Sequence, residues 1–446
     1  MLGFNAKCPL PLRERVWIET KFAWLIENLG KETMLGGALL MPDSSDFPEF
    51  KDLTKESIRP LFEQLIYFLR IEQEVELRIL SNDEAQDDAV LFEKTNYGGI
   101  ITVPESAVSN GTRLISSLSR DFSRIILVDE GFLTGDETDL EPIVDLTTVF
   151  YGLGLFGANA CLQEQYEDNV VYFQWSMKRE RALSSQEFGY ALSLYCWLRN
   201  ESPGDWVNGL RLDARETFVR GLKFLRKSDT HLILERRPAS IDLPGYWEQR
   251  LTSRSDALKL NALWEMSEYG KPLPQFLVPC IREQLLHLEN CIVLAALELL
   301  TLQTEIAIEI TPEIFDCVAH NSSSISLKAL DVLGSIPRSE RAQEVIYDIL
   351  FRSRSHELRV RAVELLLEES APDKAEKTVD YILVDLRIAM TNQAEEVAGV
   401  LLSFLNQITD DTEQIITERF LHTEDDEWHR ELLEILEVVQ AEKTVD

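Results

Sequence analysis

A chain of 446 residues, 45% apolar and 27% charged, is too long for one ordinary core and too apolar to be disordered, so two or three domains are expected. Its formal net charge of −33 argues against nucleic acid and anionic lipid as partners, since a binder of either must supply clustered Lys and Arg. The basic clusters, Arg179-Glu180-Arg181 and Arg236-Arg237, are short or interrupted.

The first expected helix runs from Arg13 to Leu29. Phe22, Leu25, Ile26 and Leu29 fall at i, i+3, i+4 and i+7, and Gly30 supplies the left-handed cap. After a short apolar run, Gly37 to Met41, a helix from Lys55 to Arg70 buries Leu61, Leu65, Phe68 and Leu69, its start bent or delayed by Pro60. The period then changes to two. Val75, Leu77 and Ile79 alternate with Glu76 and Arg78, Val90 with Phe92, and Ile100 to Val103 is rich in β-branched residues, which predicts three strands of a small sheet. Helices from Gly111 to Leu127 and from Pro142 to Gln165, then a strand from Val170 to Trp175, complete an α+β block ending near Arg179. The uncharged stretch Leu146 to Leu162 contains Gly152, Gly154 and Gly157 and falls short of the roughly 20 apolar residues of a membrane span, so it reads as a buried core helix. Ser184-Ser185-Gln186-Glu187 has a capping-box pattern, because Ser and Glu three apart can satisfy each other's orphan amides. Helices from Gln186 to Arg199 and from Ala214 to Arg226 lead to a Pro-containing connector, Arg237 to Tyr246. The expected domains are 1–179, a helical extension 180–248, and 249–446.

Beyond the connector the chain repeats. Aligning Ala262-Leu263, Ala296-Leu297, Ala329-Leu330, Ala362-Val363 and Gly399-Val400 gives spacings of 34, 33, 33 and 37 residues, with Leu432 about 32 further on. Three positions after each branched residue stand Met266, Leu300, Leu333 and Leu366, then Ser403 as an exception, then Ile435. Partner helices are expected at Gln275 to Leu288, Arg341 to Phe351 and Lys374 to Ile388. A hairpin of this length cannot bury its own apolar face, so neighbouring copies must stack into one continuous core. The pattern resembles HEAT or armadillo repeats, and implies a solenoid of five or six units from about Asp256 onward.

Catalytic chemistry is harder to find. The first 230 residues contain no histidine; the six are His231, His287, His320, His356, His422 and His429, never at HxxxH spacing. A catalytic zinc site ordinarily needs two or three imidazoles. Six cysteines (Cys8, Cys161, Cys196, Cys280, Cys291, Cys317) form no CxxC pair and read as buried thiols of a reducing compartment. The N-terminal residues lack the continuous apolar core of a signal peptide, so a cytoplasmic protein is expected.

Four phrases carry a further resemblance: Cys8-Pro9, FAWL at Phe22 to Leu25, EPIVDLTTVFYGLGLFGAN from Glu141 to Asn159, and FGYALSLYCWLRNE from Phe188 to Glu201. Over roughly residues 8 to 226 the chain resembles a group of uncharacterised bacterial proteins that look like gluzincins. In that group HExxH is followed by ExxxD on the next helix. The resemblance implies a zincin-like fold in which two His and the downstream Glu hold zinc, the first-helix Glu is general base, and the Asp orients a ligand. Here the matching segment is Arg120-Asp121-Phe122-Ser123-Arg124, while Glu141-Pro142-Ile143-Val144-Asp145 keeps ExxxD. Arginine has no lone pair to give a metal. The expectation is therefore a degenerate site, without metal or cofactor, in which Arg120 and Arg124 pair with Glu141 and Asp145 where the cation once sat. The bland alternative is that these charges are solvated helix faces.

Other motifs lack the context their chemistry needs. Gly152-Leu153-Gly154-Leu155-Phe156-Gly157 matches GxGxxG, but the following strand ends at Gln174-Trp175-Ser176 without the carboxylate a dinucleotide site needs, so the glycines are expected to permit close packing. There is no GxSxG elbow, Cys161 and Cys196 lack a nearby histidine in sequence, and Trp175, Trp197 and Trp206 read as core anchors. The sequence reading is an α+β zincin-like domain followed by an all-α HEAT-like solenoid, acting as a non-catalytic scaffold for a protein partner with a basic surface. Its rival is a metal-dependent hydrolase that uses Asp121, Glu141 and Asp145 as carboxylate ligands for a hard cation.

Overall fold

The computed structural model describes residues 7–41, 53–81, 90–95, 98–169, 172–179, 181–228, 232–234, 242–337, 339–353 and 355–367, with isolated positions beyond. The chain is mostly helical with a small three-stranded sheet. It divides into two compact units, Met1–Ser240 and Ile241–Asp446, and the division falls inside the Pro-containing connector.

In the first unit, α1 (Leu12–Leu29) ends at Gly30, whose φ of 88° is positive but whose ψ of 134° is extended and not that of the left-handed cap expected from the sequence; its N–H donates to the Ile26 carbonyl at 3.1 Å. A short α2 (Lys31–Gly36) follows, and Arg199 Nη1 donates to the carbonyls of Met34 (2.6 Å), Leu35 (3.0 Å) and Gly37 (2.7 Å) at its end. The helix α3 (Lys55–Leu69) starts five residues before Pro60, so that proline does not delay it; Ser57 Oγ accepts the Thr54 N–H at 3.3 Å instead. Strands β1 (Glu74–Leu80), β2 (Leu91–Thr95) and β3 (Gly98–Pro104) form a sheet of order β1-β3-β2. β1 runs parallel to β3, and β2 antiparallel to it with Phe92 opposite Ile101.

Two long elements then cross the unit: α4 (Gly111–Asp129) and α5 (Leu140–Phe150). The helix expected over Pro142 to Gln165 is in fact three elements. Gly152 takes φ 84° and ends α5, α6 (Gly154–Ala160) restarts the helix, and β4 (Leu162–Asn169) pairs antiparallel with β5 (Tyr172–Arg179). The strand expected at Val170 to Trp175 runs on to Arg179, and its first two positions, 170 and 171, lie outside the described residues. A Cβ on Gly152 would strike the Ala38 carbonyl, and one on Gly157 would meet the Phe188 ring at 2.6 Å, so these glycines serve close packing.

Helices α7 (Ser185–Leu198) and α8 (Leu212–Leu225) share the core of α1 and α5, built on Phe22, Phe150, Phe188, Tyr195 and Phe218. A second core lies between α3, the sheet and α4, around Phe62, Ile101, Leu118, Phe122 and Phe156. Trp197 and Trp206 are partly buried against the first core, while the side chain of Trp175 lies outside the described set. The pairing of α4 with α5 is where the two cores meet.

The second unit is a row of helical pairs. α9 (Leu243–Leu251) packs on α10 (Asp256–Glu268), α11 (Val278–Leu285) on α12 (Asn290–Leu302), α14 (Thr311–Val318) on α15 (Ser323–Ser335), and α16 (Glu340–Arg352) on α17 (His356–Leu367). A short α13 (Thr304–Glu309) intervenes before the third pair. α10 packs on α12, α12 on α15 and α15 on α17, and Ala262, Ala296, Ala329 and Ala362 are all fully buried in that row. The turn into each inner helix repeats one device. Ser253 Oγ accepts the Ser255 N–H (3.1 Å), His287 Nδ1 that of Glu289 (3.0 Å), His320 Nδ1 that of Ser322 (3.0 Å) and Ser353 Oγ that of Ser355 (3.1 Å). These acceptors recur every 34, 33 and 33 residues, in step with the alanines. The units expected around Lys374 to Ile388, Gly399-Val400 and Leu432 lie outside the described residues, save isolated positions.

Candidate functional site

The site grows out of the amphipathic design of α4. Leu118, Phe122, Ile125 and Ile126 are buried in the sheet-side core, which leaves Arg120 and Arg124, one turn apart, on a flank of the helix. On α5, Ile143, Val144 and Leu146 go into the helical core, and Glu141 and Asp145 occupy the matching i, i+4 flank. The two flanks meet. Arg120 Nε donates to Asp145 Oδ1 at 2.7 Å and its Nη2 to Glu141 Oε2, while Arg124 Nη2 donates to Glu141 Oε1 at 2.5 Å. The four charges are thus not solvated faces but one network between two helices.

Asp145 is fully buried, and its second oxygen is also occupied. Oδ2 accepts the backbone N–H groups of Ala182 (2.8 Å) and Leu183 (3.0 Å), in the segment that leads into α7. That segment is set by the capping box foreseen at Ser184: Glu187 Oε2 accepts the Ser184 N–H at 2.7 Å, and Ser184 Oγ accepts the Glu187 N–H at 3.2 Å. Arg181, also buried, reaches back to α4, donating to Ser116 Oγ (3.2 Å) and Ser117 Oγ (3.1 Å). Sequence reasoning missed Arg181, Ser116, Ser117 and the two amides. Arg181 carried a signal in its proximity to the capping box, whereas backbone donors leave no mark on a sequence.

The electrostatics follow from burial. Burial alone would lower the Arg120 guanidinium, but Asp145 and Glu141 outweigh it and raise it above its ordinary range. Burial also raises the Asp145 carboxyl, against the opposing pull of Arg120, the Leu183 N–H and Arg181. Asp121 differs in having no such donors. Its Oδ2 is shielded from solvent with no hydrogen-bond partner, and burial pushes its carboxyl up to about 7 despite Arg124, Arg120 and Arg181.

Among the described residues no group of three or more His, Cys, Asp or Glu side chains is placed to hold a metal ion. Burial raises the Cys161 and Cys196 thiols to about 11 and about 12, which suppresses the thiolate. No helix of the described residues is long and apolar enough to cross a membrane. No protein-family model matches the chain, and no curated protein matches it.

Proposed function

We propose that this chain is a non-catalytic interaction protein: a zincin-like first unit whose metal locus is filled by arginine–carboxylate pairs, followed by a HEAT-like repeat surface that binds a protein partner. The observation that carries the reading is the occupation of Glu141 and Asp145 by Arg120 and Arg124. A carboxylate that already accepts a guanidinium on one oxygen and two amides on the other, as Asp145 does, has little left to offer a cation. A divalent ion placed there would also face two permanent positive charges.

The repeat reading is supported by the row of inner helices, the buried alanine at each step and the periodic turn. Stacked pairs present an extended surface suited to binding a partner. The net charge of −33 favours a partner with a basic face. Elemental analysis of the full chain, purified without chelators and then incubated with zinc, tests the front-end reading. The expected result is no stoichiometric metal and no chelator-sensitive cleavage of peptides. About one zinc per chain, lost in Glu141→Ala, would overturn it.

A further inference from the structure

Among the described residues of the second unit, the large apolar side chains that face solvent all fall between Phe276 and Ile308. Phe276, Leu302 and Ile308 belong to one end of the α11–α12 hairpin. Phe276 lies in the turn that leads into α11, and Leu302 closes α12. The Gln303 side chain ties these ends together, its Oε1 accepting the Leu273 N–H at 3.1 Å and its Nε2 donating to the Lys271 carbonyl at 3.0 Å. Ile308 follows on α13, the short helix that interrupts the regular order of pairs. The three are 48%, 62% and 50% exposed, whereas Leu273, Leu277, Ile306 and Ile310 from the same two connections are buried. The core is thus already filled at this end, and a contiguous apolar surplus outside it marks a binding surface. The repeat register makes Leu302 stand out further: the equivalent places in the neighbouring pairs hold Glu268 and Ser335, both exposed.

The rim of this patch is acidic. Glu305 and Glu309 share the outer face of α13 with Ile308, and Glu268 ends α10; all three are exposed. Lys271, the cation of the loop before α11, lies over the Tyr269 ring, 5.4 Å from its centroid. We infer, resting on the HEAT-like reading of the second unit, that this end of the α11–α12 pair docks a basic segment of a partner protein. Apolar anchors of that segment cover Phe276, Leu302 and Ile308, and its Lys or Arg side chains meet Glu268, Glu305 and Glu309. An apolar centre inside a polar rim is the anatomy of a protein interface, and the sign of the rim selects the occupant. A second copy of this chain, joined two-fold, would set these carboxylates against each other. The chain's own run Glu424-Asp425-Asp426-Glu427 would be repelled, as would anionic lipid head groups. The break in the repeat points the same way, because insertions in such arrays often build the binding face.

The probe is a displayed library of random peptides about four helical turns long, selected on the full chain and sequenced. The expected winners are rich in Lys and Arg, with apolar residues on one helical face. By fluorescence anisotropy they should lose affinity by about tenfold or more in the double variant Phe276→Ser, Leu302→Ser, whose thermal unfolding should match the parent because both side chains are exposed. Glu305→Gln with Glu309→Gln should weaken binding and flatten its salt dependence. Leu288, 97% exposed in the turn at the opposite end of the hairpin, is the control, and Leu288→Ser should leave binding unchanged. Acidic or uncharged winners, or an equal loss in Leu288→Ser, would overturn the inference. Peptides that bind the double variant as tightly as the parent would overturn it too, yet leave the repeats a binding surface; a library with no binder would remove both readings. Sedimentation velocity tests the other occupant: a parent that dimerises and a double variant that does not would give the patch to a second copy and overturn the inference.

Discussion

Arg120 serves two carboxylates at once, one buried and one half in water, and the two should respond differently to mutation. Arg120→Met would strand Asp145, which is fully buried, and is expected to destabilise the first unit by about 3 kcal/mol, since an uncompensated buried charge costs more than the pair contributed. Glu141→Gln leaves that bond in place and removes only a half-exposed charge, so its cost should stay within about 1 kcal/mol. Chemical denaturation of both variants would order them, and equal costs would deny Arg120–Asp145 its central place. The four charges were legible in the sequence because i, i+4 spacing on two successive helices predicts facing flanks. What was not legible is why Asp145 is tolerated in a core: its second oxygen is satisfied by the Ala182 and Leu183 amides, whose position depends on how α7 begins.

At the scale of elements, the sequence reading erred where apolar continuity hid a break. The stretch from Leu146 to Leu162 looks like one buried helix by composition, yet Gly152 ends α5 in the left-handed region and the chain turns into α6 and then β4. The glycine was visible; the Ala38 carbonyl that requires it comes from more than a hundred residues away and was not. Gly152→Ala should therefore cost more than about 1 kcal/mol, as strain at positive φ adds to the collision. Ser184→Ala removes one half of a capping box and should cost about 1 kcal/mol, while also disordering the amides that hold Asp145. Thermal unfolding reads both, and a neutral Gly152→Ala would refute the packing argument. The opening helix, the small sheet and α7 were readable because period and caps agreed there, which is the condition under which local pattern reliably specifies structure.

For the whole molecule, the row of helical pairs from Leu243 to Leu367 was legible from the alanine ladder, whereas a second ladder was not. Ser253, His287, His320 and Ser353 keep the same period and accept the same backbone N–H at each turn, so two histidines that seemed isolated in sequence belong to a repeating device. Ala329→Leu, which overfills the fully buried contact between neighbouring inner helices, should cost about 1–3 kcal/mol. A partner that recognises this acidic chain should associate more slowly as ionic strength rises. The claim on which the functional reading turns is that guanidiniums stand where imidazoles would hold a metal. Rebuilding the motif tests it most directly, by calorimetric zinc titration of the full chain carrying Arg120→His, Asp121→Glu and Arg124→His together. The expected result is about one zinc bound per rebuilt chain and none by the parent; a folded triple variant that takes up no zinc, or a parent that does, would contradict the account.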